Sequence, residues 1–124
     1  MLKVYRNVQI ETADRLQIVI LLYEGAIEFI KKAQDCIKNK DIPAKNLYVS
    51  KAQDIILTLN DTLNMKAGGE IAQNLRRLYL FMNRYLLECS FQNNEKKLER
   101  LIKMLKRLKE AWVAIRKPKL SPSA

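Results

Sequence analysis

GGEIAQNLRRLYLFMNR, Gly68 to Arg84, opens on a glycine pair and continues as a stripe of leucine, tyrosine and methionine with no obvious catalytic group. From Ile71 the residues Ile71, Leu75, Leu78, Met82, Tyr85 and Cys89 recur in steps of four and three. That alternation places all six along one seam of a helix. Ala72, Tyr79, Leu80, Phe81 and Leu86 flank the seam, so the apolar arc is wider than a helix needs to face the core of a small bundle. Ile71, Leu78 and Tyr85 are expected in the interior. The surplus poses the question of what else the arc covers.

Working outward, the same periodicity recurs on both sides. Thr12 is placed to cap a helix over about 13–39, with Leu16, Ile27, Ile30, Ala33 and Ile37 on its apolar face and Asp14 near its positive end. Gly25 interrupts it at a cost of ~1 kcal/mol relative to alanine, which points to close approach of a neighbouring helix. Asn39-Lys40-Asp41-Ile42-Pro43 breaks the pattern, with Asp41 as the next cap and Pro43 acceptable in a first turn. A second helix runs to about Asn64 with Leu47, Ala52, Ile55, Ile56, Leu59 and Leu63, and the Gly68-Gly69 pair is expected to supply the turn that ends it. After the turn Gln92-Asn93-Asn94, a fourth helix carries Leu98, Leu101, Leu105, Leu108, Trp112 and Ile115 and stops near Lys117-Pro118. Short links between four long helices predict an all-α, antiparallel up-down four-helix bundle. The organisation expected is a flexible N-terminal cap segment at 1–12, the bundle at 13–117 and a disordered tail at 118–124.

Composition narrows the function. The 124 residues suit one domain, and 48% hydrophobic residues with only three glycines and three prolines describe a packed chain. No apolar run approaches the ~18–20 residues of a membrane span, and the N-terminus lacks a secretory signal, so the expected location is the cytoplasm, without membrane insertion. Two cysteines, Cys36 and Cys89, read as reduced packing residues. The chain has no histidine, which removes the commonest general base and the Glu-x-x-His motif of di-iron bundles. Glu24 and Glu28, one turn apart, are the best remaining pair for acid-base work, but a solvated ion-pairing role is the simpler reading. Gly68-Gly69 lacks the lysine and hydroxyl of a phosphate-cradling loop. No catalytic residue, metal site or cofactor is expected.

The formal charge of +10 stands apart. Lys96, Arg100, Lys103 and Arg107 form a cationic stripe opposite the fourth helix's leucine seam, but this stripe has no interleaved aromatics for stacking on bases. A solvated face is the simpler reading of this stripe, and no nucleic acid is expected; a basic helical adaptor for nucleic acid or for an acidic protein partner is the competing function.

In chain order the sequence holds Tyr5, "TA" at Thr12-Ala13, "LLYEGAIEF" at Leu21–Phe29, "KAQDII" at Lys51–Ile56, "GGEIAQNL" at Gly68–Leu75, "LYLFMNRYL" at Leu78–Leu86 and "LKEAW" at Leu108–Trp112. This series resembles the flagellin-specific export chaperone family, FliS. The resemblance implies a non-enzymatic bacterial chaperone that binds the disordered C-terminal segment of flagellin along apolar grooves, prevents premature polymerisation and keeps the subunit ready for export. It implies a groove drawn from Leu21, Tyr23, Ile55, Ile56, Leu59, Leu75, Tyr79 and Met82, each of which could equally belong to the intramolecular core. It also implies that Tyr5 and Val8 lie on a movable cover over an apolar site. Asp14-Arg15 stands where the family commonly has Ser-Pro. Family members are often near neutral or acidic, so the basic surplus is not explained by the resemblance; the flagellar export gate or a co-chaperone is a candidate acidic partner.

Overall fold

In the computed structural model, which describes residues 12–116, the chain forms four helices and, among the described residues, no strand. They are α1 (Thr12–Lys38), α2 (Ile42–Asp61), α3 (Met65–Phe91) and α4 (Glu95–Arg116). The links, 39–41, 62–64 and 92–94, are too short to let consecutive helices do anything but turn back on one another. α1 packs against α2 and α4, and α3 packs against the same two, so the helices close a four-membered ring.

Each link is stiffened by the capping chemistry of its polar residues. After α1, Lys40 sits at φ 59° while Asp41 N–H reaches back to the Cys36 carbonyl at 2.8 Å. The Asp41 carboxylate then accepts from Ala44 N–H at 3.2 Å and starts α2, with Pro43 in the first turn. After α3 the same device recurs. Asn93 takes φ 51°, Asn94 N–H bonds to the Cys89 carbonyl at 2.9 Å, and the Asn94 side chain caps α4 through Lys97 N–H at 3.0 Å. The cap expected of Thr12 falls outside the described side chains.

The middle link departs from expectation. α2 ends at Asp61 with Thr62 as its cap, before the glycine pair. Asn64 caps a new turn by accepting from Ala67 N–H at 3.0 Å, and this turn, Met65–Gly68, joins α3 through a kink at Gly69, where φ is 53° and ψ −132°. Only glycine adopts that backbone freely. Gly68 is fixed by crowding, because a Cβ there would lie 2.6 Å from the Ala72 methyl. The pair therefore bends α3 and does not terminate α2.

The interior is built from Ile30 and Ala33 of α1, Ala52 and Ile56 of α2, Leu86 of α3 and Leu101 and Leu105 of α4, all fully buried. A contiguous core of this kind supplies the main driving force for folding. The expected close approach at Gly25 is present: a Cβ there would stand 3.1 Å from the Ile55 δ-methyl, so the missing side chain sets the α1–α2 spacing. On α3 the inward line is Ala72, Tyr79, Met82, Leu86 and Cys89: Met82 and Cys89 are shared with the expected seam, while Ala72, Tyr79 and Leu86 replace Ile71, Leu78 and Tyr85. Ile71 is 72% exposed, while Leu75, Leu78 and Tyr85 are half-buried. The expectation that Ile71 lies in the interior is thus corrected: the seam's two possible phases were both apolar, and the kink two residues earlier turns Ile71 outward. Leu47 and Ile115, read as inward, are each 53% exposed. Cys89 is buried and Cys36 partly so, both free thiols.

Candidate apolar binding site

Among the described residues, the bundle does not close at the end where α2 passes into α3. There Leu16 and Val19 of α1, Leu63 of the middle link, Ile71 and Leu75 of α3, and Trp112 of α4 surround a hollow of about 470 Å³. The cause is local. α3 enters through the Gly69 kink, the crowded Gly68 admits no side chain to fill the space, and Ala72 is small. Leu16, Val19, Leu63, Leu75 and Trp112 are left half-buried around a void, with Ile71 exposed on its rim. Such an apolar concavity with few polar groups is the usual form of a binding site.

A polar contact underlies it. Tyr23 of α1 and Tyr79 of α3 share a hydroxyl hydrogen bond of 2.6 Å across the bundle's diagonal, and Trp112 Nε1 donates to the Tyr23 hydroxyl at 3.2 Å. Three helices are thereby tied together beneath the hollow. Burial raises both tyrosine hydroxyls above their ordinary range; for Tyr79 the neighbouring Tyr23 adds to the rise, and for Tyr23 the two hydrogen bonds oppose it. The fold thus holds these protons to higher pH than the unfolded chain does. Their contribution to stability is full below the unfolded value of about pH 10 and is lost as pH climbs above it, by ~1.4 kcal/mol per pH unit for each group. Tyr79→Phe should therefore cost ~1 kcal/mol at neutral pH and visibly flatten the alkaline fall in stability. Urea melts at a series of alkaline pH values measure both, and an unchanged alkaline slope would remove Tyr79 from the account.

The residues proposed from sequence divide clearly in position. Leu75 and Tyr79 line the hollow. Tyr23, Ile56, Leu59 and Met82 are fully buried in the core and do not line the hollow. Ile55 is half-buried against Gly25, and Leu21 is 53% exposed on the outer side of α1. Tyr5 and Val8 lie outside the described residues. Leu16, Leu63 and Trp112, which the sequence places on apolar helix faces, and Val19, which it does not name, are not among the residues proposed for the site, though their apolar character at helix ends was the available signal. Glu24 pairs with Lys109 of α4 at 3.3 Å, an ordinary exposed bridge. Glu28 makes no ion pair among the described residues.

Beyond the hollow the apolar surplus continues. Leu80, Phe81, Leu87 and Phe91 of α3 and Leu57 of α2 are all exposed, Phe91 to 88%. Among the described residues, no helix is long and apolar enough to cross a membrane. The described residues thus define an all-α four-helix bundle with a buried polar tie, a candidate apolar binding hollow at one end and apolar side chains displayed along its flanks.

Comparison with known proteins specifies the class further. The family described as "Flagellar protein FliS" matches residues 1–119. The flagellar secretion chaperone FliS of Vibrio cholerae is 34% identical over 110 residues, 89% of this chain and 81% of that protein. The flagellar secretion chaperone FliS of Salmonella typhimurium is 34% identical over 125 residues, 97% of this chain and 92% of that protein. FliSB of Pseudomonas aeruginosa is 32% identical over 118 residues, 92% of this chain and 94% of that protein. The chain belongs to the FliS family.

Proposed function

We propose that this protein is a non-enzymatic flagellar secretion chaperone of the bacterial cytosol. It binds the disordered C-terminal segment of flagellin over the open end and apolar flanks of the bundle, and so keeps the subunit from polymerising before export. The observation that carries this reading is the hollow of about 470 Å³ between α1, the middle link, α3 and Trp112. A segment that orders on binding loses ~1–2 kcal/mol of backbone entropy per residue, and each large apolar side chain it buries returns roughly 1.5–3 kcal/mol. A hollow that accepts one or two anchors, continued by exposed leucines and phenylalanines on α2 and α3, meets that requirement better than one deep pocket would. We assign the segment 1–12, with Tyr5 and Val8, on the family resemblance alone, as a cover over an apolar site that yields to flagellin.

The test is capture of cognate flagellin against a form lacking its C-terminal segment, by size-exclusion chromatography. Trp112 is the sole tryptophan and lines the hollow, so its fluorescence reports occupancy directly. A stable complex and a changed Trp112 emission are expected with the full chain only. Equal binding of both forms would overturn the assignment.

A further inference from the structure

Helix α4 keeps its carboxylates on one side, where Lys106 and Lys109 also lie. Its three carboxylates turn toward α1: Glu95 pairs with Lys38 at 3.5 Å, Glu99 accepts from Gln34 at 3.1 Å, and Glu110 lines the α1–α4 cleft with Glu24 and Lys109. The other flank carries Lys96, Arg100, Lys103 and Arg107. All four are exposed, and none makes an ion pair among the described residues. At 1.5 Å per residue they form a row about 16 Å long. Unneutralised cations in such a row repel one another and strongly favour a negatively charged neighbour.

The row borders apolar surface. Arg100, Lys103 and Arg107 surround a notch of about 210 Å³ that Met104, half-buried, also lines. The Tyr85 ring of α3 lies beside Arg100 and stacks on Phe81, with ring centres 5.7 Å apart and planes at 19°. Phe81 is 42% exposed. The sequence placed no aromatic on the cationic stripe itself; the fold brings two to its edge from the neighbouring helix. The α3–α4 seam is also the least closely packed of the four.

From this arrangement we infer a second interaction surface on the α3–α4 face, which takes an acidic amphipathic helix of another protein: carboxylates along the cationic row, a leucine-like side chain in the notch against Met104. The notch shares no lining residue with the apolar hollow; Phe81, at its edge, also belongs to the exposed flank assigned to flagellin, so the test rests on Lys103 and Arg107, which do not. Methionine suits the notch because its flexible thioether adapts to different apolar side chains. A nucleic acid fits less well, because Phe81 and Tyr85 stack on each other and are not offered singly to bases.

The probe is a fluorescently labelled synthetic helical peptide with two glutamates flanking a leucine in each turn, titrated against the full chain and read by anisotropy. Lys103→Glu/Arg107→Glu should weaken its binding at least about tenfold and leave binding of the flagellin C-terminal segment unchanged. Both side chains are exposed, and a thermal melt confirms that the variant folds. Replacing the peptide's leucines by serine should also cost at least about tenfold, since the notch then goes unfilled. The inference is overturned if the parent protein fails to bind the peptide, if charge reversal has no effect, or if the serine peptide binds equally well. Tighter binding of an oligothymidine of about 20 nucleotides than of the peptide would overturn it in favour of nucleic acid.

Discussion

Ile71→Asp should leave the free protein as stable as its parent and weaken capture of the flagellin C-terminal segment at least about tenfold. Adding Leu75→Asp should bring the loss to about 100-fold or more. Ile71 is 72% exposed on the rim of the hollow, so a carboxylate there stays hydrated in the unbound protein. Once a bound segment covers the rim, ~1.5–3 kcal/mol of apolar burial is forgone and the carboxylate is partly desolvated. Every 1.4 kcal/mol is tenfold in affinity. Leu75 lies deeper and will cost some stability when charged, so the single Ile71 variant carries the argument and the double variant gives its scale. Titration followed by Trp112 fluorescence, with a urea melt of each free variant, provides both numbers. If Ile71→Asp binds as tightly as the parent, the flagellin segment does not use the hollow.

The sequence and the fold agree most closely where local chemistry acts alone. Asp41, Pro43 and the Asn93-Asn94 turn cap or bend the chain through their own side chains and dihedrals, so their roles follow from position. The four apolar patterns are similarly local, and the bundle follows from short links. What could not be read was the rotational phase of α3. Both Ile71-Leu75-Leu78 and Ala72-Tyr79-Leu86 are apolar lines, and the choice between them depends on the Gly69 kink and on what the other three helices present. Ile71 fell on the wrong side for that reason. The hollow was hidden for a related one: it comes from a missing Cβ at Gly68, a small Ala72 and the splay of one bundle end, which are properties of an assembled end and not of any periodic residue. The Tyr23–Tyr79 hydrogen bond likewise joins residues 56 positions apart whose ring sizes alone would place them in an ordinary core.

Lys45 is the extreme case, since a lysine one turn into α2 reads as solvated and is in fact 95% buried, with a relative exposure of 5%. Its ammonium donates to the Ser90 carbonyl at 2.8 Å and to Asn93 Oδ1 at 2.7 Å. These acceptors belong to the C-terminal end of α3 and to the turn that follows it, where the partial negative charge of the helix end favours a cation. The contact clamps the start of α2 to the α3–α4 turn and holds Asn93 at its positive φ, at the opposite end of the bundle from the hollow. Lys45→Met keeps most of the stem's volume but removes two charge-assisted hydrogen bonds, so it should destabilise the protein by about 2 kcal/mol. Lys45→Ala also empties the space of the stem and should cost about 3–4 kcal/mol. Urea unfolding with an unchanged dependence on denaturant should show both losses, which correspond to roughly 4 °C of melting temperature per kcal/mol in a chain of this size. Because the clamp is remote from the hollow, flagellin binding by the folded fraction should be unaffected. A Lys45→Met variant within about 0.5 kcal/mol of the parent would show that the aliphatic stem, and not the ammonium, is what this position contributes.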